Sequence, residues 1–469
     1  MRRYLATAAM AAAVLGFAVP AAQAGTGGEQ PPLGVVSSVP ANNTPHLKAS
    51  LDNPIQEIRQ LVQCGNTMYA VGTFNTIVKG STTYTRNNVF SFKASSPYTV
   101  TSWAPNVVGT YGTISNPSNT VNTIGFANGD CSHAYIGGKF TSVNGTAVQN
   151  IAEIDTTTGN VVTTFASKAA GAVQTIVGAG NHLLVGGNFT GINGDTSDPY
   201  MASLNPVTGR SDGFLHLNIS GNYQYPGVSS NATRVYNQQL SHSGTLDLVE
   251  GDFTSVGGQQ REQIFMLDLS GASATVTGWT SPEFDGSNPA YPYQCATVEP
   301  FYIQAASWSP DDATVYLATT GYHPYVQNPG HGAWTGLCDA AAAFPAAQMP
   351  VLHKWVNYTG CDSMYSTAAD AFGAYFGGHE RWSMNPLGCD SLGAGGYNAP
   401  GMEGLDPANG KLFVNPTGSA GYYSRDRGLG ADDMLVTTAG LWIASDNQAT
   451  SQMCGGVTNL SGICFLPYH

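Results

Sequence analysis

Apolar, β-branched runs that end in a Gly-x-Phe corner recur along the chain, at Val71-Gly72-Thr73-Phe74, Ile136-Gly137-Gly138-Lys139-Phe140, Val185-Gly186-Gly187-Asn188-Phe189 and Val249-Glu250-Gly251-Asp252-Phe253. Each reads as a strand that stops at a tight turn. Glycine-bearing turns follow three of them, beginning at Thr141, Thr190 and Thr254. Then comes a strand of alternating character that ends in an Asp- or Asn-led turn: Ile154-Asp155-Thr156-Thr157-Thr158-Gly159, Leu204-Asn205-Pro206-Val207-Thr208-Gly209 and Leu405-Asp406-Pro407-Ala408-Asn409-Gly410. The acidic or amide side chain bonds its own backbone two residues on, and glycine closes the turn in the left-handed region. Further along each unit stands an aromatic, Trp103, Phe165, Phe214, Trp279 or Phe413, in what reads as one core position per unit.

This pattern predicts four short strands per unit, in the second over residues 122–127, 134–140, 149–154 and 161–165. A lone meander of that size leaves one apolar face in water, so such units are stable when stacked radially around an axis. Three weaker units follow, with corners at Thr319-Thr320-Gly321-Tyr322 (aromatic partner Trp355), at Tyr375 to Glu380 (partner Phe413) and at Leu441 to Asp446, the last followed by Ile463 to Pro467. The expected fold is therefore all-β, a seven-bladed β-propeller. The seventh unit runs out of chain one strand short, and the apolar stretch Leu33 to Val39 is expected to close it from the N-terminal side, removing exposed edges. Residues 25–54 are read as this N-terminal segment and 55–469 as the propeller. The units exceed the usual blade of roughly 40–50 residues, which places the excess in loops.

Composition agrees with a turn-rich β protein: 57 Gly and 26 Pro stand in 469 residues, only 10% of which are charged. The formal net charge of −13 argues against binding a phosphate backbone, so nucleic acid is not an expected partner. Arg2 and Arg3, an apolar run and Ala22-Gln23-Ala24 predict a signal peptide over residues 1–24 and a secreted, extracellular protein. No later stretch is long and apolar enough to predict a membrane span, and a monomer is expected.

Eight cysteines in an exported chain predict disulfides. Strand positions pair Cys64 with Cys131, Cys295 with Cys338, Cys361 with Cys389, and Cys454 with Cys464. The first pair falls at turns on one face of the propeller; the rest brace loops of blades five to seven on the other, where binding commonly resides. Aligning the corners puts Thr73, Lys139, Asn188, Asp252, Gly321, His379 and Asp446 at one pseudo-sevenfold position on that second face.

The chemistry-bearing residues gather in blades six and seven. His379, Glu380, Arg381, Trp382, Arg425, Asp432, Asp433 and Asp446 form the candidate binding set, with Asp362, Asp390, Glu403 and Asp426 nearby. Tyr397, Tyr422, Tyr423, Trp334 and Trp382 are aromatics able to stack on sugar rings. His379-Glu380-Arg381-Trp382-Ser383 begins like a zinc-protease motif but lacks the second histidine and follows a strand. Neither metal nor cofactor is expected. No Gly-x-Ser-x-Gly elbow occurs. Two carboxylates on facing loops, with Glu380 and Asp432 as the pair to watch, would suit glycosidic acid/base chemistry.

The Gly-Gly-x-Phe-Thr-Ser-Val-Asn-Gly stretches, with Ile151-Ala152-Glu153-Ile154-Asp155, resemble the bacterial β-propeller repeat called delta-sixty. Val356 to Gly360, Tyr375 to Trp382 and Gly440 to Asp446 resemble secreted actinobacterial propellers built from it. The resemblance implies fold and export, and no catalytic residue. The Asp-Pro-x-x-Gly turns are also similar to those of quinoprotein dehydrogenases, but the docking Trp is mostly missing and no two cysteines are adjacent, so a quinone is not expected. The expected function is non-catalytic binding of an extracellular glycan or protein through the blade five to seven loops. A carbohydrate-active hydrolase or lyase on the same face is the alternative.

Overall fold

The computed structural model describes residues 27–48, 56–109, 120–222, 232–284, 295, 301–322, 336–425, 430–447 and 461–469. The expected signal peptide, Trp334, Asp426 and Cys454 lie outside them. Among the described residues every regular element is a strand except one short turn of 3-10 helix, Pro282–Phe284.

Seven antiparallel sheets share one plan, in which consecutive strands pair in chain order. Their first strands are Glu57–Cys64, Thr120–Gly125, Val173–Ala179, Arg234–Leu240, Tyr302–Trp308, Met364–Ala369 and Ala431–Thr437. Each first strand packs against the first strand of the next sheet, and that of the seventh lies against that of the first. Small meanders packed through successive inner strands make a β-propeller arrangement.

The core lies between neighbouring sheets. Tyr69, Val71 and Val89 of the first meet Val121, Ile124 and Ile136 of the second. Phe90 and Phe92 meet Trp442 and Phe465 of the seventh. Fully burying each such side chain contributes about 1.5–3 kcal/mol.

Every first strand carries a β-bulge at the same place. Its register against the second strand slips between Ile58 and Gln60, Val121 and Thr123, Val173 and Thr175, Val235 and Asn237, Ile303 and Ala305, Met364 and Ser366, and Ala431 and Asp433. The residue before each bulge is apolar and fully buried.

The corner glycines have their physical reason here. A Cβ at Gly72, Gly138, Gly187, Gly251 or Gly378 would lie 2.1–2.5 Å from the backbone carbonyl oxygen of Glu57, Thr120, Ala172, Arg234 or Ser363, which enters the bulge opposite. The fifth and seventh sheets have Thr319 and Ser445 at the equivalent register, so their corners lost the glycine signature. By that register the fifth member of the corner ring is Thr320 and not Gly321. Gly321 answers to a different constraint, since its Cβ would meet Cys295 Sγ at 2.6 Å.

The residue after the bulge ties sheets together. Gln60 Oε1 accepts from Ile124 N at 2.7 Å, Thr123 Oγ1 from Ile176 N at 3.0 Å, and Asp433 Oδ2 from Leu61 N at 2.8 Å. The expected core aromatics add ties farther out: the indoles of Trp103, Trp279 and Trp355 donate to Asp155 O, Pro345 O and Pro407 O of the following sheet.

The outer strands depart from expectation. Among the described residues, only the fourth and fifth sheets have a fourth strand, Thr275–Val276 and Trp355–Tyr358. Elsewhere single bridges such as Ile154 to Val161 and Leu204 to Ser211 stand in its place. These segments are short, and what anchors them is a buried aromatic and a turn instead of a ladder. Cys64–Cys131, Cys295–Cys338 and Cys361–Cys389 are bridged as expected. Cys464 is also disulfide-bonded.

The glycine constraint has a measurable consequence. Gly138→Ala is expected to lower the urea-unfolding free energy by about 1–3 kcal/mol through enforced backbone displacement. Ser445→Ala, where a Cβ is already accommodated, removes only the hydroxyl that accepts from Gly462 N at 3.2 Å and is expected to cost about 1 kcal/mol without displacing the backbone.

Candidate functional site: a polar cavity between the inner strands

A bulge lets one side chain leave the alternation of its strand. The seven bulge residues are Arg59, Asn122, Gln174, Tyr236, Gln304, Tyr365 and Asp432, and all of them line one cavity of about 690 Å³. The residues that follow them, from Gln60 to Asp433, line it as well. In each strand a buried apolar residue precedes a solvent-touching bulge residue. Since each first strand runs antiparallel to the second, its start faces the end of its neighbour, as Glu57 faces Thr73 and Arg234 faces Asp252. The bulges, the corners and the loops after the second strands therefore share one face, with Cys295–Cys338 and Cys361–Cys389 on it.

Charge is concentrated where the seventh sheet meets the first. Arg59 is paired with Glu57, which bridges to Asp446. Burial pushes the Asp432 carboxyl well above the usual carboxylate range, with Glu57, Asp446 and Asp433 adding to the shift and Arg59 opposing it. Its Oδ2 is buried without a hydrogen-bond partner. Asp433 rises to about 6 by burial, against the stabilising bond from Leu61 N. The rest of the wall is made of carboxamides, tyrosines and small residues, with one further cation, Arg234, whose guanidinium lies over the Tyr236 ring at 5.9 Å. Gln238 is 3% exposed, and neither its Oε1 nor its Nε2 has a partner.

The candidate residues of the sequence divide into three groups. Asp432 and Asp433 line the cavity, with Asp446 beside them. Arg381 and Trp382 belong to a clasp on the sixth sheet's loop. There the guanidinium grips Asp362 through Nε (2.7 Å) and Nη2 (2.8 Å), reaches Asp390 at 2.7 Å and lies 4.1 Å above the Trp382 ring. Tyr322 donates to the other oxygen of Asp390 at 2.5 Å. Bidentate bonding to buried Asp362 raises the Arg381 pKa and commits its donors within the protein. His379 precedes this clasp, its backbone N bonded to Ser363 O.

Arg425 forms the third group, buried and donating to Ser38 O at 2.7 Å, which ties the N-terminal segment to the sixth sheet's edge; burial lowers its pKa to about 10. Glu380 has 0% exposure, so its carboxylate offers no lone pair to a ligand. Tyr423 is likewise buried, donating to Val36 O.

Five of the seven bulge residues, all but Asp432 and Tyr365, stand outside blades six and seven, where the candidate residues were sought. In four of the first strands the bulge residues are marked by a polar pair flanked by apolar residues, Ile58-Arg59-Gln60-Leu61, Val121-Asn122-Thr123-Ile124, Val173-Gln174-Thr175-Ile176 and Ala431-Asp432-Asp433-Met434; the other three carry no such signal.

No family model matches the chain and no curated protein does, so the delta-sixty resemblance rests on the motifs quoted for it. Among solved structures, the chain is similar to the WD40 β-propeller domain of Doa1, at 10% identity over 86% of this chain and 94% of that one, with a TM-score of 0.38. A likeness so distant carries no argument about function.

Glu403 offers a test of the buried charges. It is fully buried with neither oxygen hydrogen-bonded, and desolvation pushes it from 4.5 to about 8, opposed only by the nearby Ser383 hydroxyl. A carboxyl raised in the folded state stabilises fully below its unfolded pKa and loses that contribution as pH climbs through the folded one. Wild type is therefore expected to lose stability relative to Glu403→Gln between about pH 5 and pH 8, by roughly 3–5 kcal/mol in all, followed by denaturant unfolding across that range.

Proposed function

We propose that the chain is a secreted, non-catalytic, closed seven-bladed β-propeller, acting as a monomer, that binds an extracellular glycan or protein on the face where the inner strands begin. The observation that carries this reading is the convergence of one polar side chain from each of seven sheets on a single cavity. Curvature alone would be served by any small residue at a bulge, whereas these positions hold Arg, Asn, Gln, Tyr, Gln, Tyr and Asp.

Closure is supported by the contacts between the seventh and first sheets, Asp433 with Leu61 N and Asn447 N with Gln56 O. The N-terminal segment stands beside the last strand, with Ser37 N donating to Pro467 O and Ala41 N to Phe465 O, which supports residues 25–54 closing the ring that 55–469 forms. Export after removal of residues 1–24 is supported by the leader-like sequence and by the disulfides. Two of those disulfides stiffen loops of blades five and six on the binding face. The repeat is assigned to the delta-sixty type on its motifs.

The hydrolase or lyase reading requires a substrate to reach Glu380, and the complete burial of that residue weighs against it. Purified protein applied to a glycan array and to isolated extracellular matrix, with reducing ends assayed in parallel, is expected to be retained without releasing sugar. Release of product that stops on Asp432→Asn would overturn the non-catalytic reading.

A further inference from the structure

We infer that the cavity between the inner strands is itself the ligand pocket and that it takes an uncharged polyhydroxylated ligand, a small sugar or the end of a glycan chain. The inference rests on the binding function proposed above and names its site and chemistry. At about 690 Å³ the cavity suits one small molecule and is too confined for a folded partner.

The wall decides the chemistry. A hydroxyl both donates and accepts, and so does a carboxamide, whereas lysine only donates and a carboxylate only accepts. Gln174, Gln304 and Asn122, the last also donating through Nδ2 to Val173 O at 2.9 Å, supply such groups from three different sheets, and Tyr236 and Tyr365 add aromatic rings for the C–H side of a pyranose.

Other ligand classes fit poorly. An anion would meet Asp432 and Asp433 on the same wall as the two arginines, of which Arg59 is paired with Glu57 and Arg234 lies over the Tyr236 ring. A metal ion would need several closely placed ligands, and among the described residues no group of three or more His, Cys, Asp or Glu side chains is placed to hold one. A greasy molecule would face amides and hydroxyls that it cannot satisfy.

The test is calorimetric titration of the full chain with glucose, galactose, mannose, xylose and arabinose, their methyl glycosides and short β-1,4- and α-1,4-linked oligosaccharides, beside inorganic phosphate and spermidine. At least one neutral sugar is expected to bind. Gln174→Leu and Gln304→Leu are each expected to weaken it about tenfold, with the unfolding temperature unchanged as the check on folding. Arg210→Ala, in a separate cavity between the second and third sheets, is expected to bind like wild type. Preference for free sugars over methyl glycosides and oligosaccharides identifies a small-molecule pocket, and the reverse identifies recognition of chain ends; either outcome supports the assignment.

Sugar binding unaffected by both glutamine variants but lost in Trp382→Ala would overturn the pocket and leave the binding function standing. Phosphate or spermidine binding that the glutamine variants abolish would overturn the neutral-ligand assignment. Retention on extracellular matrix with no response to any sugar would overturn this inference alone, and loss of both would overturn the proposed function with it.

Discussion

A carbonyl oxygen sitting where a Cβ would otherwise be sets the geometry of the inner strands. In five sheets the chain enters its bulge by bringing that oxygen against a glycine of the second strand, closer than any side chain allows. The bulge that results separates three tasks over three consecutive residues. The first fills the core between sheets, the second points into the central cavity, and in several sheets the third bonds the backbone of the next sheet. An unbulged strand, with strict alternation, would send the first and third residues to the same face and leave the cavity wall to whatever lay between.

The division also explains why polar residues are tolerated so near the axis. Asp433 keeps a backbone donor at 2.8 Å and Gln60 one at 2.7 Å, so their burial is compensated. Asp432 has one oxygen with no such compensation, and its raised pKa records the imbalance. The loop clasp around Arg381 shows the opposite arrangement, in which Asp362, Asp390 and the Trp382 ring saturate a single cation. Of two polar clusters on one face, one is closed upon itself and the other lines an open cavity.

Much of the fold was legible because it repeats. The Gly-x-Phe corners, the Asp-led turns and the buried aromatics all mark real positions, and three disulfides join the expected cysteines. The bulges were not legible, because a polar pair such as Asn122-Thr123 breaks alternation in the same way whether the strand bulges or ends. The outer strands were over-read for a related reason: Val161 pairs at a single bridge, and apolar spacing alone does not distinguish a ladder from one anchoring contact. Candidate binding residues were sought where charges were dense, in blades six and seven. That rule named the self-satisfied clasp at Arg381 and, on the cavity wall, Asp432 and Asp433, and passed over the amides, which come together only because six other strands arrive at the same place.

The hydrogen bonds of Ser37 and Ala41 to Pro467 and Phe465 join segments more than four hundred residues apart. The stretch around Val36 precedes its partner strand, Ile463–Pro467, by almost the whole described chain, so this pairing forms only once that strand has been made, whichever sheet folds first. A chain cut before Ile463 would keep every inner-strand bulge yet leave the backbone donors of Ser37 and Ala41 without these acceptors and the strand Gly440–Ser445 with one side unpaired, an edge open to another chain.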